Sequence, residues 1–493
     1  MTETVAVPVW VLGIILLLAL WVVAERLLVP GVRWFFRRRV NRVIEEFNQR
    51  LRLKLPTFSL TKRRVLVERL TYDPRLMAAV AAYCERTGTP RQVAMEQVER
   101  YAREIIPAFN AYVYFRIGRW IATRIVRRLY RVRLAYDRDY ALDRVDPNTS
   151  IVFVINHRSN MDYVLLAYVA QRQAALSFAV GEWARVWPVT SLIRALGGYF
   201  VRRNSGSELY RRVLERYVQM AVQGGVVQAV FPEGGLSRDG RFREPKVGLL
   251  DYMLRDFDPQ GQRDILFVPV GVNYDRVVED RNLLRQAHGH RAERKSTLYA
   301  IHASLAFVWR SARRRLRGEW HRMGYAAAAF GSPQSAREWC RQQGIDFRTL
   351  AREERLVATR AFADQLMGRI GDAMPALPVS MVCWILLTDP VRYWSRAGLE
   401  AAYADAVIQL RRRERPAFVP RRDPTYAVEA GLRMLRLRQM VLSGENGYRV
   451  NPEQRELLDY YAAGVRHLLE PGRYRVPEDP PMEPITGRKG QPT

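Results

Sequence analysis

Between Tyr136 and Asp280, short β-branched and aromatic runs alternate with helical ones, and no other feature of the chain limits its fold as tightly. SIVFVIN (150–156) reads as a buried strand and Met161 to Arg172 as a helix. ALSFAV (175–180) and GGYFVRR (197–203) read as strands, and Glu208 to Gln223 as a helix stopped by Gly224-Gly225. VVQAVF (226–231) and ILFVPVGVNY (265–274) complete the series. Strands joined through helices pair in parallel, because each crossover returns the chain to the same end of the sheet. The expected fold class is therefore α/β, a largely parallel sheet flanked by helices. GYAAAAFGSP (324–333) is a further candidate strand, although alanine favours helix.

The flanks differ in texture. Val5 to Ala24 is twenty residues without a charge, enough for a helix to cross a bilayer. Trp10 and Trp21 stand near its ends; Glu3 precedes it, and Arg26, Arg33, Arg37, Arg38, Arg39 and Arg42 follow. A cleaved signal peptide would need a basic stretch ahead of the apolar run. The expectation is an uncleaved anchor at 5–24, with the N-terminus outside and the rest in the cytoplasm, hence a single-pass protein of the cell membrane. A helical region at 33–135, an α/β domain at 136–335, a helical region at 336–470 and a Pro-rich disordered tail at 471–493 follow. Ala376 to Leu387 is apolar but too short to span, which predicts a buried or interfacial helix. In the run up to about Arg133, Trp120, Ile121, Ile125 and Leu129 share one helical face, while Arg119, Arg124, Arg127 and Arg128 crowd the rest. That pattern fits an anionic membrane surface, and equally a core helix with a solvated basic face.

Lys and Arg number 79 against 50 Asp and Glu, a formal +29. Such a surface attracts polyanions: nucleic acid, anionic lipid or an acidic carrier protein. The charge is spread along the chain without a nucleic-acid-binding signature, so no nucleic-acid partner is expected. The three cysteines are far apart and no metal-ligand spacing occurs, which predicts reduced thiols and no metal.

Four segments carry chemistry. NHRSNMD places His157 and Asp162 just after a buried strand, where the carboxylate can orient the imidazole and leave its other nitrogen as a proton acceptor. A substrate hydroxyl can then be the nucleophile. GGYFVRR brings Arg202 and Arg203 to a strand end, and FPEGGLSRDGR places Glu233, Gly234, Ser237 and Arg238 in a tight loop. VPVGVNYDRV carries Pro269 inside a strand-like run, which predicts an edge or a bulge. Convergent arginines and a His–Asp pair ask for a substrate with both a phosphate and a hydroxyl.

In this order and spacing, the four segments resemble the four blocks of the glycerolipid acyltransferase superfamily. The stretch GGYFVRRNSGSELYRRVLERYV, with the FPEGG loop and EPKVGLL, most resembles the bacterial glycerol-3-phosphate and dihydroxyacetone-phosphate acyltransferases. The resemblance implies that His157 is the general base and Asp162 its orienting partner. Arg202, Arg203 and Arg238 would hold the phosphate, with Lys246 of EPKVG assisting. Glu233, Gly234 and Ser237 would shape the loop, Pro269 would line the acyl channel, and backbone amides near the motif would hold the oxyanion. Acyl-CoA or an acyl carrier protein would bring the thioester, with no further cofactor, at a phospholipid surface. Leu236 stands where relatives carry Arg or Thr. The expected function is glycerol-3-phosphate 1-O-acyltransferase. Lysophosphatidate and dihydroxyacetone phosphate are alternative acceptors, and a non-enzymatic basic membrane or polyanion-binding protein is the alternative of another class.

Overall fold

The computed structural model describes residues 56–136, 145–146, 148–170, 174–181, 189–202, 205–288 and 322–470, together with residues 10, 13 and 16. The tail at 471–493 and, apart from residues 10, 13 and 16, the anchor expected at 5–24 therefore lie outside the described residues. Among the described residues, no helix is long and apolar enough to cross a membrane.

Eight strands form one sheet: β1 (Arg131–Tyr136), β2 (Ser150–Ile155), β3 (Ser177–Val180), β4 (Gly198–Phe200), β5 (Gln228–Val230), β6 (Ile265–Tyr274), β7 (Tyr325–Phe330) and β8 (Gln334–Ser335). The order is β1-β7-β6-β2-β5-β3-β4, with β8 also on β6. The expected parallel sheet is present through β6, β2, β5, β3 and β4. β7 and β8 run antiparallel to β6, and β1 is parallel to β7. In β2, Ile151, Phe153 and Ile155 enter one apolar cluster, while Val152 and Val154 enter another. A strand covered on both faces needs an apolar side chain at every position, which is why this run does not alternate with polar residues.

The first cluster is closed by α10 (Pro378–Thr388) and α13 (Arg455–Leu469), the second by α3 (Arg91–Ile105), α6 (Glu208–Gln223) and α9 (Arg352–Ala373). The remaining helices used below are α1 (Arg63–Thr71), α2 (Pro74–Thr87), α4 (Arg119–Leu129), α5 (Met161–Ala170), α7 (Gly248–Leu254), α8 (Asp280–Ala287), α11 (Arg396–Arg412) and α12 (Pro424–Leu437). Local signals set the helix ends. Asp73 accepts from the N–H groups of Arg75 and Leu76 ahead of α2, Pro74 occupies its first turn, and Gly88 closes it at φ 68°. Ser207 caps α6 by accepting from Tyr210 N–H. The apolar run at 376–387 is the buried helix α10, with Val379, Met381, Val382, Cys383, Ile385 and Leu386 all inside.

Three expectations are corrected. The helical pattern read up to Arg133 stops at Leu129, and β1 takes over because residues 131–136 register one for one against 325–330. A hairpin, β9 (Val441–Gly444) and β10 (Gly447–Val450), interrupts the C-terminal helices, and Gly447 turns it at φ 111°. Pro269 is neither at an edge nor in a bulge but inside β6, opposite Val154 of β2. On the other side β6 changes partner there, from β7 to β8. Gly331 N–H donates to Pro269 O at 2.9 Å, so the missing proline N–H faces the gap between the two short partners. The alanine run does form a strand: Ala326 to Ala329 are all buried between β1 and β6, and small side chains fit that crowded layer.

Candidate active site

β2 ends at Ile155, and the loop 156–160 leads into α5. Asn156 pins the start of this loop to β6: its Nδ2 donates to Val272 O at 2.9 Å and its Oδ1 accepts Val272 N–H at 2.7 Å. The backbone then folds round one carboxylate. Asp162 Oδ2 accepts from the N–H groups of Arg158 (2.8 Å) and Ser159 (3.0 Å) and lies 2.9 Å from His157 Nδ1. Asp162 Oδ1 accepts the hydroxyl of Tyr274 at 2.7 Å. A carboxylate already accepting three protons is an acceptor toward the ring as well. Nδ1 therefore carries the hydrogen, and Nε2 keeps its lone pair. His157 and Asp162 are both buried, and the imidazole stacks on Phe231 with centroids 4.2 Å apart.

The FPEGGLSRDGR segment holds the same loop from the other side. Glu233 is buried, and its Oε1 accepts His157 N–H at 2.8 Å while Oε2 accepts Arg243 N–H at 3.0 Å. Burial pushes its carboxyl up to about 7. Ser237 N–H donates to His157 O at 2.8 Å, and Ser237 Oγ donates to Arg241 O at 2.7 Å. Gly234 takes φ 63°, and a Cβ there would sit 2.8 Å from Lys246 Cγ, so the lysine stem lies across the turn. Lys246 N–H closes the loop on Pro232 O at 2.7 Å, and Arg238 and Lys246 are both exposed.

The structure thus brings together His157, Asp162, Glu233, Gly234 and Ser237, with Arg238 and Lys246 on the same loop. Arg202 stands apart: its Nε donates to Glu104 Oε1 at 2.9 Å, a second nitrogen meets Oε2, and its guanidinium lies over Tyr101 and Tyr210. That ion pair ties the end of β4 to α3, so the Arg202 guanidinium is engaged by Glu104. Arg203 lies outside the described residues. Pro269 is buried in β6. The expected oxyanion amides are not free beside the histidine. The N–H groups of residues 157 to 162 are taken by Glu233, Asp162, Glu279, Ser159 Oγ and Ser159 O.

Sequence reasoning missed five contributors. Tyr274 supports Asp162, and its only signal was its place in VNYD. Glu279 accepts Ser159 Oγ at 2.7 Å and Asn160 Nδ2 at 3.2 Å, holding the far end of the loop. Arg158 is buried, donates to Tyr460 O at 3.3 Å and lies over the Tyr460 ring. Gly240, at φ 82°, packs so closely on Tyr460 O that a Cβ would be 2.0 Å away. Tyr460 belongs to α13, so a helix some 300 residues downstream forms a wall of the site.

Two family models match the chain: Acyltransferase at residues 138–273 and the glycerol-3-phosphate acyltransferase C-terminal region at 304–471. A glycerol-3-phosphate acyltransferase from Xanthomonas axonopodis pv. citri is 27% identical over 373 residues, 74% of this chain and 41% of that protein. One from Pseudomonas paraeruginosa is 31% identical over 262 residues, 52% of this chain and 31% of that protein. The chain thus spans under half the length of these curated relatives. The crystal structure of the 1-acyl-sn-glycerophosphate (LPA) acyltransferase from Thermotoga maritima aligns with TM-score 0.30 and 16% identity, over 62% of this chain and 95% of that one. Over these two matched regions, the chain is similar to the acyltransferase family and to the glycerol-3-phosphate acyltransferase C-terminal region.

Proposed function

We propose that this protein transfers a fatty acyl group from an acyl thioester to the sn-1 hydroxyl of glycerol 3-phosphate, giving lysophosphatidate. The observation that carries the proposal is the buried His157–Asp162 pair, with Nε2 left as acceptor and its backbone clamped by Glu233 and Ser237. His157 Nε2 takes the hydroxyl proton as the oxygen attacks the thioester carbonyl. The carbon–sulfur bond then breaks, and the proton passes from the imidazolium to the departing thiolate, so no covalent enzyme intermediate is needed. The exposed Arg238 and Lys246, with Arg203, supply cations for the acceptor's phosphate, while Arg202 braces the strand end. The names of the relatives support glycerol 3-phosphate as acceptor. The donor is acyl-CoA or an acyl carrier protein, and the chemistry asks for no cofactor beyond the thioester.

The working site is the cytoplasmic face of the cell membrane, with 5–24 as a single-pass anchor and the acyltransferase domain at 136–335. In α4, Trp120 and Ile125 are exposed beside Arg124, an arrangement that supports contact with phospholipid.

The test is acyl transfer by the purified full chain from a labelled thioester. Glycerol 3-phosphate, dihydroxyacetone phosphate and lysophosphatidate are offered separately, with His157→Ala as control. Preference for glycerol 3-phosphate and a dead control are expected. Preference for lysophosphatidate would move the acceptor and direct attention to Leu236. Transfer by the control would remove His157 from the mechanism.

A further inference from the structure

A second cationic cleft, of about 490 Å³, opens where the end of β6 meets α8 and the end of α12. Arg276, Arg281, Arg285 and Arg438 line it together with Glu279 and Asp280. Both acids are already committed. Asp280 Oδ2 pairs with Arg438 at 2.6 Å and accepts the Tyr461 hydroxyl, while its Oδ1 accepts Arg281 N–H at 2.7 Å. Glu279 spends its carboxylate on Ser159 and Asn160. Among the described residues, the guanidinium of Arg276 has no hydrogen bond and no ion pair, although it is half-buried. Burial and the neighbouring Arg438 hold its pKa below the usual arginine range. Arg281 is exposed, and its side chain is likewise unpaired. Arg285 meets only the neutral Asn282. A half-buried cation facing other cations without an acid of its own is costly to maintain and is relieved by an anion from outside.

Position identifies the anion. Glu279 lines the cleft and also grips Ser159 and Asn160, so the cleft borders the catalytic loop at the end opposite the Glu233 clamp. The two loop ends therefore carry separate cationic groups: Arg238 and Lys246 on one side, Arg276, Arg281 and Arg285 on the other. Two anionic substrates whose reactive atoms meet at His157 need such an arrangement. The volume suits a nucleotide.

We propose that this cleft binds the phosphates of the donor's nucleotide end, the adenosine 3′,5′-bisphosphate portion of coenzyme A, with Arg276 as the principal contact. The identity of the ligand rests on the acyl-transfer reading; the presence of an anion site does not.

The experiment is calorimetric titration of the full chain with adenosine 3′,5′-bisphosphate and, in parallel, with inorganic phosphate. Wild type, Arg276→Gln, Arg285→Gln and Arg238→Gln are compared, followed by donor and acceptor KM for each. Saturable binding of the bisphosphate is expected, weakened about tenfold by Arg276→Gln and less by the exposed Arg285→Gln, with a matching rise in donor KM only. Arg238→Gln should bind the bisphosphate as wild type does. Equal binding by Arg276→Gln and wild type would overturn the proposal, as would loss of binding in Arg238→Gln alone. Inorganic phosphate binding as tightly as the bisphosphate would overturn the nucleotide assignment. Arg276-dependent bisphosphate binding in a protein that acylates nothing would uphold the cleft and sink the acyl-transfer reading instead.

Discussion

The carboxylate of Glu233 accepts the backbone N–H of His157 at 2.8 Å, so the FPEGG segment holds the NHRSNMD segment by its main chain and not by a side-chain pair. The other carboxylate oxygen accepts Arg243 N–H, so one residue ties the 156–160 loop to the stretch that follows Gly240. Glu233→Gln turns one of these acceptors into a donor facing an N–H. Displacement of the histidine follows, and kcat is expected to fall about 100-fold, with the circular dichroism spectrum unchanged. Steady-state kinetics of the purified variant checks it; wild-type kcat would mean that the clamp does not position His157.

Asp162 is the hub of the 156–160 loop. Asp162→Asn places an NH₂ group among its donors and is expected to lower kcat about 1,000-fold. Tyr274→Phe removes only the 2.7 Å bond to Asp162 Oδ1, and a fall of about tenfold is expected. Equal losses in the two variants would show that the tyrosine does more than orient the carboxylate.

Asp275 gives a pH signature. It is buried and caps α10 by accepting Val379 N–H at 3.1 Å, while also accepting Tyr325 N–H at 2.8 Å, and burial raises its carboxyl from 3.8 to about 7. A carboxyl whose pKa is higher folded than unfolded stabilises fully below the unfolded value and loses that contribution as the pH rises through about 7. The lead of wild type over Asp275→Asn should therefore shrink by about 1.4 kcal/mol per pH unit between pH 5 and 7, then level off. Urea unfolding of both proteins across that range measures it; a constant gap would show that Asp275 is ionised throughout.

Gly240→Ala tests the wall supplied by α13. The positive φ and the approach to Tyr460 O both oppose a side chain there. A loss of about 3 kcal/mol of stability is expected, read as a lower urea midpoint with acyl transfer impaired. Full stability would show that the loop can move away from the helix.

Much of the core was legible because β2 and β6 are long apolar runs with one possible environment. His157, Asp162, Glu233 and Ser237 were legible because they lie close in sequence to the strands that position them. What escaped notice depends on distant partners. The arginine-rich sequence of β1 looks helical until Tyr325 to Phe330 is laid beside it. The hairpin at 441–450 did carry a signal, Asn446-Gly447, hidden among helical stretches. Arg202 looked like a phosphate ligand, and only Glu104, some hundred residues upstream, shows where its charge is spent. Nothing local marks Tyr460 or Glu279 as neighbours of the loop that holds His157.

The position of β7 has a consequence for how the protein can be divided. The Acyltransferase match ends at residue 273, while β7 lies within the C-terminal match, yet β7 sits between β6 and β1 and joins them. A fragment cut at the boundary between the two matches would leave β6 as a naked border with unpaired N–H and C=O groups, ready to template the border of another copy. The two matched regions therefore share one sheet: the strand that covers the border of the first is encoded in the second.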